Sequence, residues 1–383
     1  MGVSPDYRAL MGRTDHRIVL SRWAIASIAA TFLLMGTVVS AYGPLLEHLT
    51  HRFGVSLPVA GATISVHFAG SLPGVFLAMW AIQHVRARDI VIVAGGVVAL
   101  GLAAIALAPT WPVFLAAVLV VGLGFGALVL SLNQLVAYSE GRRRAALLNV
   151  LNGCYSAGAV AGPLLVAAFA QSSFPALYLA GAVLWLAQLP GAVGIAGRLP
   201  VTAGSPARPG RLVAIFICAF VLYVAVENGI GGWMTSHLES VGLPSNRAAA
   251  LTSGFWLALV TGRVLMTLVP ARVGEATIVL AGSTVGTLAL LAASIGALAP
   301  VAYVAAGLAL APIFPTGIVW LARLRPGDSR ATSWLYPAAS IGGTLGPGVI
   351  GLVIAQAGVA WAPAVLALVG LGMLAAFFVA SRR

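Results

Sequence analysis

One acidic residue of this chain stands apart from the other eight. Asp6, Asp15, Glu47, Asp89, Glu140, Glu239, Glu275 and Asp328 fall in tails, loops or the ends of apolar stretches, whereas Glu227 lies deep inside one. Counted from the start of its stretch, Glu227 is about 15 residues along a helix, or roughly 22 Å at 1.5 Å per residue. That is just beyond the midplane of a hydrocarbon core about 30 Å thick. Keeping a carboxylate ionised at such depth costs at least ~2.5 kcal/mol. A group so placed can take up and release a proton as its surroundings alternate between two aqueous sides. The bland alternative is a hydrogen-bonded Glu that fixes helix packing.

Other polar residues share these stretches. His67, about ten residues into the second, could share the proton task through its imidazole or be a satisfied core histidine. Asn149, Asn152 and Tyr155 are spaced by three and so share one helical face. With Asn133 and Asn228 they supply the amides and phenol that a hydroxylated solute needs; Trp256 and Tyr336 could add ring-stacking surface. The same groups could instead hydrogen-bond helices together for about 0.6 kcal/mol each. Gly231 and Gly232 could let the outer end of their helix bend as a gate, or let two helices pack closely. Trp233 is expected near an interface, as an anchor or a lid. Arg263 is expected at an inner gate, held by helix-end carbonyls or an acid near that surface, with binding of a substrate anion as the sharper alternative.

The elements that must position these residues follow from composition. Of 383 residues 60% are hydrophobic and only 8% charged, against roughly 25% charged in a soluble domain. About 20 apolar residues cross a bilayer as a helix. Twelve such spans are predicted, at approximately 23–46, 57–82, 89–109, 111–137, 145–170, 174–197, 211–237, 247–270, 274–298, 300–322, 331–356 and 359–380. The first is too long for the apolar core of a signal peptide. All 21 basic residues are arginine, and they crowd into every second gap: the tails, 86–88, 142–144, 198–211, 272 and 323–330. Only Arg52 and Arg247 fall on the other side. Arginine stays cytoplasmic, so both termini are expected inside, in a bacterial inner membrane. Arginines scattered over short loops form no nucleic-acid face, despite a net charge of +12. Cys154 and Cys218 read as small buried apolar residues.

The predicted fold class is an all-α membrane protein of twelve transmembrane helices in two pseudo-symmetric six-helix bundles. A Pro-, Gly- and Arg-rich segment, 198–211, divides residues 1–197 from 212–383. At a shift of 188 residues Gly43 falls on Gly231, Gly54 on Gly242, Gly74 on Gly262 and Pro112 on Pro300. With a small drift Gly158, Gly162 and Pro163 match Gly342, Gly346 and Pro347. Bundles related by a two-fold axis along the membrane normal place a solute site between them, near the midplane.

These features resemble the major facilitator superfamily over nearly the whole chain. Local runs are similar to its fucose-permease-like branch, the fucose–galactose–glucose:proton symporters. They are Gly122, Gly124 and Gly126 leading to Asn133; the opening Leu148-Asn149-Val150-Leu151-Asn152-Gly153 with its Gly162-Pro163 ending; Tyr223 to Glu227 followed by Ile230-Gly231-Gly232-Trp233; Phe255-Trp256 with Gly262-Arg263; and Gly307 to Thr316. Asn152 stands where that branch has His. Gly43 and Val129 stand where fucose permeases carry acids, and Ile82 and Val85 replace the Asp and Gly of the superfamily's loop motif. The resemblance implies alternating-access transport of a small polar, sugar-like solute coupled to protons, by a chain functional as a monomer.

Two other readings stay open: proton-driven export of drugs or amphipathic metabolites, and a non-transporting receptor. The sequence contains no HExxH, no GxSxG and no metal-spaced His/Cys set, so neither an enzyme nor a metal or other cofactor is expected. There is no ATP-binding loop. The partners expected are a small-molecule solute, protons and the lipid bilayer, with no nucleic acid.

Overall fold

A computed structural model describes residues 18–139, 144–199, 209–266, 272–326, 331–332 and 334–383. Within them twelve helical segments are long and apolar enough to cross a membrane. In chain order these are span 1 (Arg22–Phe53), span 2 (Leu57–Ala81), span 3 (Ala87–Leu107), span 4 (Trp111–Val136), span 5 (Val150–Phe169) and span 6 (Ser173–Gly194). Then come span 7 (Arg211–Ser240), span 8 (Ser245–Leu265), span 9 (Glu275–Ala293), span 10 (Gly296–Leu324), span 11 (Leu335–Ala357) and span 12 (Val359–Ser381). Helices are what lipid demands, because every backbone donor and acceptor must find its partner within the segment.

Local signals set the ends. Ser21 accepts a hydrogen bond from the Ala24 amide at 3.1 Å and so caps span 1. Gly54, at φ 65°, stops the same helix in the left-handed conformation that glycine adopts without penalty. Spans 5 and 6 run on as one helix broken at Ser173, whose φ −157° and ψ 50° are not helical. Span 10 is interrupted between Leu310 and Ile313, at Ala311-Pro312, where the proline ring removes a backbone donor. A two-stranded antiparallel ribbon, Val19–Leu20 on Ile195–Ala196, ties the start of span 1 to the end of span 6, an element not expected from the sequence.

Packing repeats in the two halves. Span 1 lies on span 5, 2 on 4 and 3 on 6; span 7 lies on span 11, 8 on 10 and 9 on 12. Between the halves, span 2 packs on 11, span 5 on 8 and span 1 on 7, pairings that a two-fold axis exchanges or maps onto themselves. Glycines make the closest approaches. The missing side chains of Gly36 and Gly158 leave room for the backbones of spans 5 and 1, and those of Gly122 and Gly126 for span 2. Cys154 is half-buried and Cys218 exposed, so the expectation of two buried thiols does not hold for Cys218.

One series of contacts between the halves runs toward the face opposite the one where span 1 begins and span 12 ends. From the middle outward, Ser71 and Ser340 share a hydrogen bond at 2.9 Å, and Phe68 fills the space over Gly343. Next, Ser65 meets Gly348 and the Pro58 carbonyl nears Gly351. At the rim, Ser245 donates to Glu47 at 3.1 Å. The molecule is therefore closed on this far face.

Candidate functional site

Span 7 carries the site, and its register against span 8 is fixed by two contacts. Thr235 and Thr252 share a hydrogen bond at 2.8 Å. One turn toward the terminal face, the Cζ2 edge of Trp256 sits over Gly231, 2.7 Å from where a Cβ would be. A further antiparallel turn brings Glu227 level with position 260. Arg263 starts about 4.5 Å nearer the terminal face, and its long side chain reaches back to Glu227. The Nη2–Oε1 separation is 3.5 Å, longer than the 2.7–2.9 Å of a tight charge-assisted bond. Arg263 stands away from the lipid side of span 8, which exposed Leu257, Thr261 and Val264 mark. Its guanidinium Nε is buried without a partner.

Two tyrosines complete the cluster. Tyr223, four residues before Glu227 and so on the same face, is fully buried. Its Oη lies beside both charges, within reach of the Glu227 carboxylate and the Arg263 guanidinium. Tyr155, from span 5 of the other half, is close enough to feel the charges of Glu227 and Arg263. The pair therefore sits where the halves meet. The Glu227 side chain is 14% exposed and that of Arg263 30%, so neither is sealed in protein.

The structure corrects several expectations. Of the partners expected for Arg263, the structure supplies an acid and not helix-end carbonyls: its length and the span 7–span 8 register deliver it to Glu227. His67 is not beside Glu227. It is fully buried between spans 1, 2 and 4, sharing a 3.1 Å hydrogen bond with Tyr42 and ringed by Phe68 and Phe125. Its Nδ1 is engaged on Tyr42, while its Nε2 is buried without a partner. Span 7 is helical through Gly231 and Gly232. The missing side chain of Gly231 admits Trp256 of span 8, that of Gly232 admits Ile64 of span 2, and that of Gly43 leaves room in span 1 for the Gly231 carbonyl. Trp233 is not at an interface: it is fully buried, donates from Nε1 to the Pro347 carbonyl at 3.1 Å and packs on Gly61 and Gly351. It thereby plugs the junction of spans 2, 7 and 11 on the far face.

The candidate solute contacts divide. Asn152, exposed, lies one turn from Tyr155 toward the terminal face. Trp256 is buried beside Gly231, with its Nε1 unpartnered. Asn133 and Asn228 are half-buried, and each donates to a carbonyl of its own helix, Val129 at 2.7 Å and Val224 at 3.2 Å. Their carbonyl oxygens stay available, but half of each amide is committed to the backbone. Tyr336 is half-buried at the start of span 11. The backbone of Asn149 extends the helix of span 5; its side chain lies outside the described residues, as do Arg142 and Arg143 and most of the 198–211 segment. Sequence reasoning missed Tyr223 as a site residue, although its spacing of four from Glu227 was there to be read. Among the described residues, no three His, Cys, Asp or Glu side chains converge on a metal-sized space.

Comparison with known proteins bears on this geometry. Residues 28–194 match the sequence model of the Major Facilitator Superfamily. The comparison with curated proteins gives no match. Among solved structures, the chain is similar to a bacterial homologue of the human lysosomal transporter Spinster, inward-facing and unoccupied, at TM-score 0.76 and 15% identity, over 100% of this chain and 98% of that one. It is similar to a variant of the nucleoside transporter NupG (TM-score 0.74, 15% identity, 94% and 99% covered). A D-xylose–proton symporter gives 0.73 at 15% identity, with 93% and 96% covered. The fold is the twelve-helix major facilitator fold.

Proposed function

We propose that this chain is a major facilitator superfamily transporter, not an enzyme, that moves a small polar solute across a bacterial inner membrane by alternating access, coupled to protons through Glu227. The observation that carries the reading is the Glu227–Arg263 pair. It is loosely engaged, lies between the halves and is edged by a tyrosine from each. A pair held at 3.5 Å in part-exposed surroundings is one that a proton can open, since neutralising the carboxylate removes most of the attraction.

Residues 1–197 and 212–383 act as the two rocking bundles, joined by the cytoplasmic segment 198–211. Both termini are cytoplasmic, as the arginine distribution requires. On this reading the far face is periplasmic and closed by Trp233, Gly43–Gly231 and Ser71–Ser340. The xylose–proton symporter and NupG lend a sugar-like solute their support as neighbours in fold. Asn152, Tyr155 and Trp256 are the contacts best placed for it.

The test is solute accumulation by proteoliposomes under an imposed pH gradient, with solutes chosen from a thermal-shift screen of sugars, organic acids and drugs. Accumulation by the native protein that is lost in Glu227→Gln supports the reading. Unchanged gradient-driven accumulation in the variant removes Glu227 from coupling.

A further inference from the structure

The cluster around Glu227 is over-supplied with donors. Arg263 brings five N–H groups in a fixed fork, yet among the described residues the carboxylate oxygen that faces it is 3.5 Å away, and its Nε has no partner. Tyr223 Oη lies beside it, and Trp256 Nε1, on the turn of span 8 that packs on Gly231, is buried and unpartnered. Trp256 precedes Arg263 by seven residues, two helical turns, and so shares its face of span 8; Tyr223 precedes Glu227 by one turn on span 7. Glu227 is the one carboxylate facing Arg263 among the described residues, and it engages the fork only at 3.5 Å. Buried donors without acceptors are costly to leave so, and an acceptor on a solute would relieve that cost.

We propose that this acceptor is a carboxylate on the solute, which takes both prongs of Arg263 when Glu227 carries a proton. This rests on the transport reading above and deepens it. Charge conservation favours the exchange. Glu227 ionised with Arg263 is a neutral pair; protonated Glu227, Arg263 and a monoanion are again neutral together. The buried site never holds an uncompensated charge, the state that is expensive at this depth. The planar fork of arginine matches a carboxylate in two parallel bonds, which a neutral amide or alcohol cannot equal. Other groups near Glu227 do not change this sum. Span 5 offers Tyr155, span 1 offers Tyr42, already held on His67, and span 10 offers Tyr303, held on His237 at 3.3 Å. Span 11 brings only Tyr336, and span 12 has no titratable side chain. The transported set is then one proton and one monoanion, an electroneutral cycle.

The experiment uses the full chain in lipid nanodiscs and proteoliposomes, with matched probes: lactate against lactamide, and gluconate against gluconamide. The acid of a pair should stabilise the protein against heating at a concentration about tenfold or more below its amide, as a charge-assisted bidentate contact implies. Glu227→Gln should keep that preference and lose its dependence on pH. Arg263→Gln should abolish it, and Arg263→Lys should weaken it, since an ammonium offers no fork. If Arg263→Gln fails to fold, the double variant Glu227→Gln with Arg263→Gln removes the unpaired carboxylate and gives the same readout. Uptake of the acid should follow a pH gradient and ignore an imposed potassium diffusion potential. Equal or better binding of the amides, or of neutral sugars, overturns the proposal, as does binding of neither member of any pair. Glu227-dependent, proton-driven uptake of a neutral sugar would overturn it while leaving the transport reading intact.

Discussion

The two halves of this molecule share a register but not a chemistry. At the 188-residue shift, Glu227 and Arg263 fall on Val39 and Val75, and Tyr223 and Trp256 on Met35 and Phe68, all four of them buried. Where the second half sets a loosely paired acid and base among unpartnered donors, the first half has a dry apolar wall. Its own buried ionisable group, His67, is placed elsewhere and tied to Tyr42. One scaffold therefore tolerates both solutions, and the difference separates what folding needs from what transport adds. A hydrophobic pair of similar volume is often as stable as a buried ion pair, so helix packing alone gives no reason for Glu227 and Arg263.

That contrast can be broken from either side. Val75→Arg would bury a guanidinium with no acid opposite it, at ~2.5–3.5 kcal/mol even on the mild insertion scale. The expected outcome is a collapse in folded yield by fluorescence-detected size exclusion, partly restored by adding Val39→Glu. In the other direction, Glu227→Val with Arg263→Val should leave thermal stability unchanged or raised while transport disappears. Arg263→Ala alone should destabilise by about 1–3 kcal/mol, below the 3–5 of a fully buried pair because Arg263 is 30% exposed. A melt of the detergent-solubilised protein with a transport assay separates these outcomes.

Smaller effects test the closure and the bystanders. Gly43→Leu places a side chain where the Gly231 backbone now lies, so the far face should close incompletely. A cysteine introduced at Ser65 should then label faster with a water-soluble maleimide. His67→Phe should shift stability by about 0.5–1.5 kcal/mol through the lost Tyr42 hydrogen bond and leave the pH profile of transport unmoved. A displaced profile would return His67 to the proton path.

Much of this was legible in the chain before any coordinates. Apolar run length and arginine spacing gave twelve spans, because lipid leaves few alternatives to a helix. The solitary depth of Glu227 marked it at once. Arg263 was legible as a buried base but not as the partner of Glu227: the link depends on the antiparallel register of spans 7 and 8, set by Thr235–Thr252 and Gly231–Trp256 across a loop. His67 showed the converse. Depth alone made it look active, and only the three rings and one hydroxyl packed around it reveal a core residue. The glycines of span 7 were visible as small residues, but the neighbours they admit, Trp256 and Ile64, come from other spans and could not be read from the sequence.

The most direct test compares two modes of transport in one variant. Proteoliposomes of Glu227→Gln would be measured for equilibrium exchange of labelled solute and for accumulation driven by a pH gradient. A proton carrier that is not itself the binding site predicts exchange near the native rate with accumulation abolished. Accumulation at the native level, or the loss of exchange along with it, would contradict the assignment of Glu227 as the coupling residue.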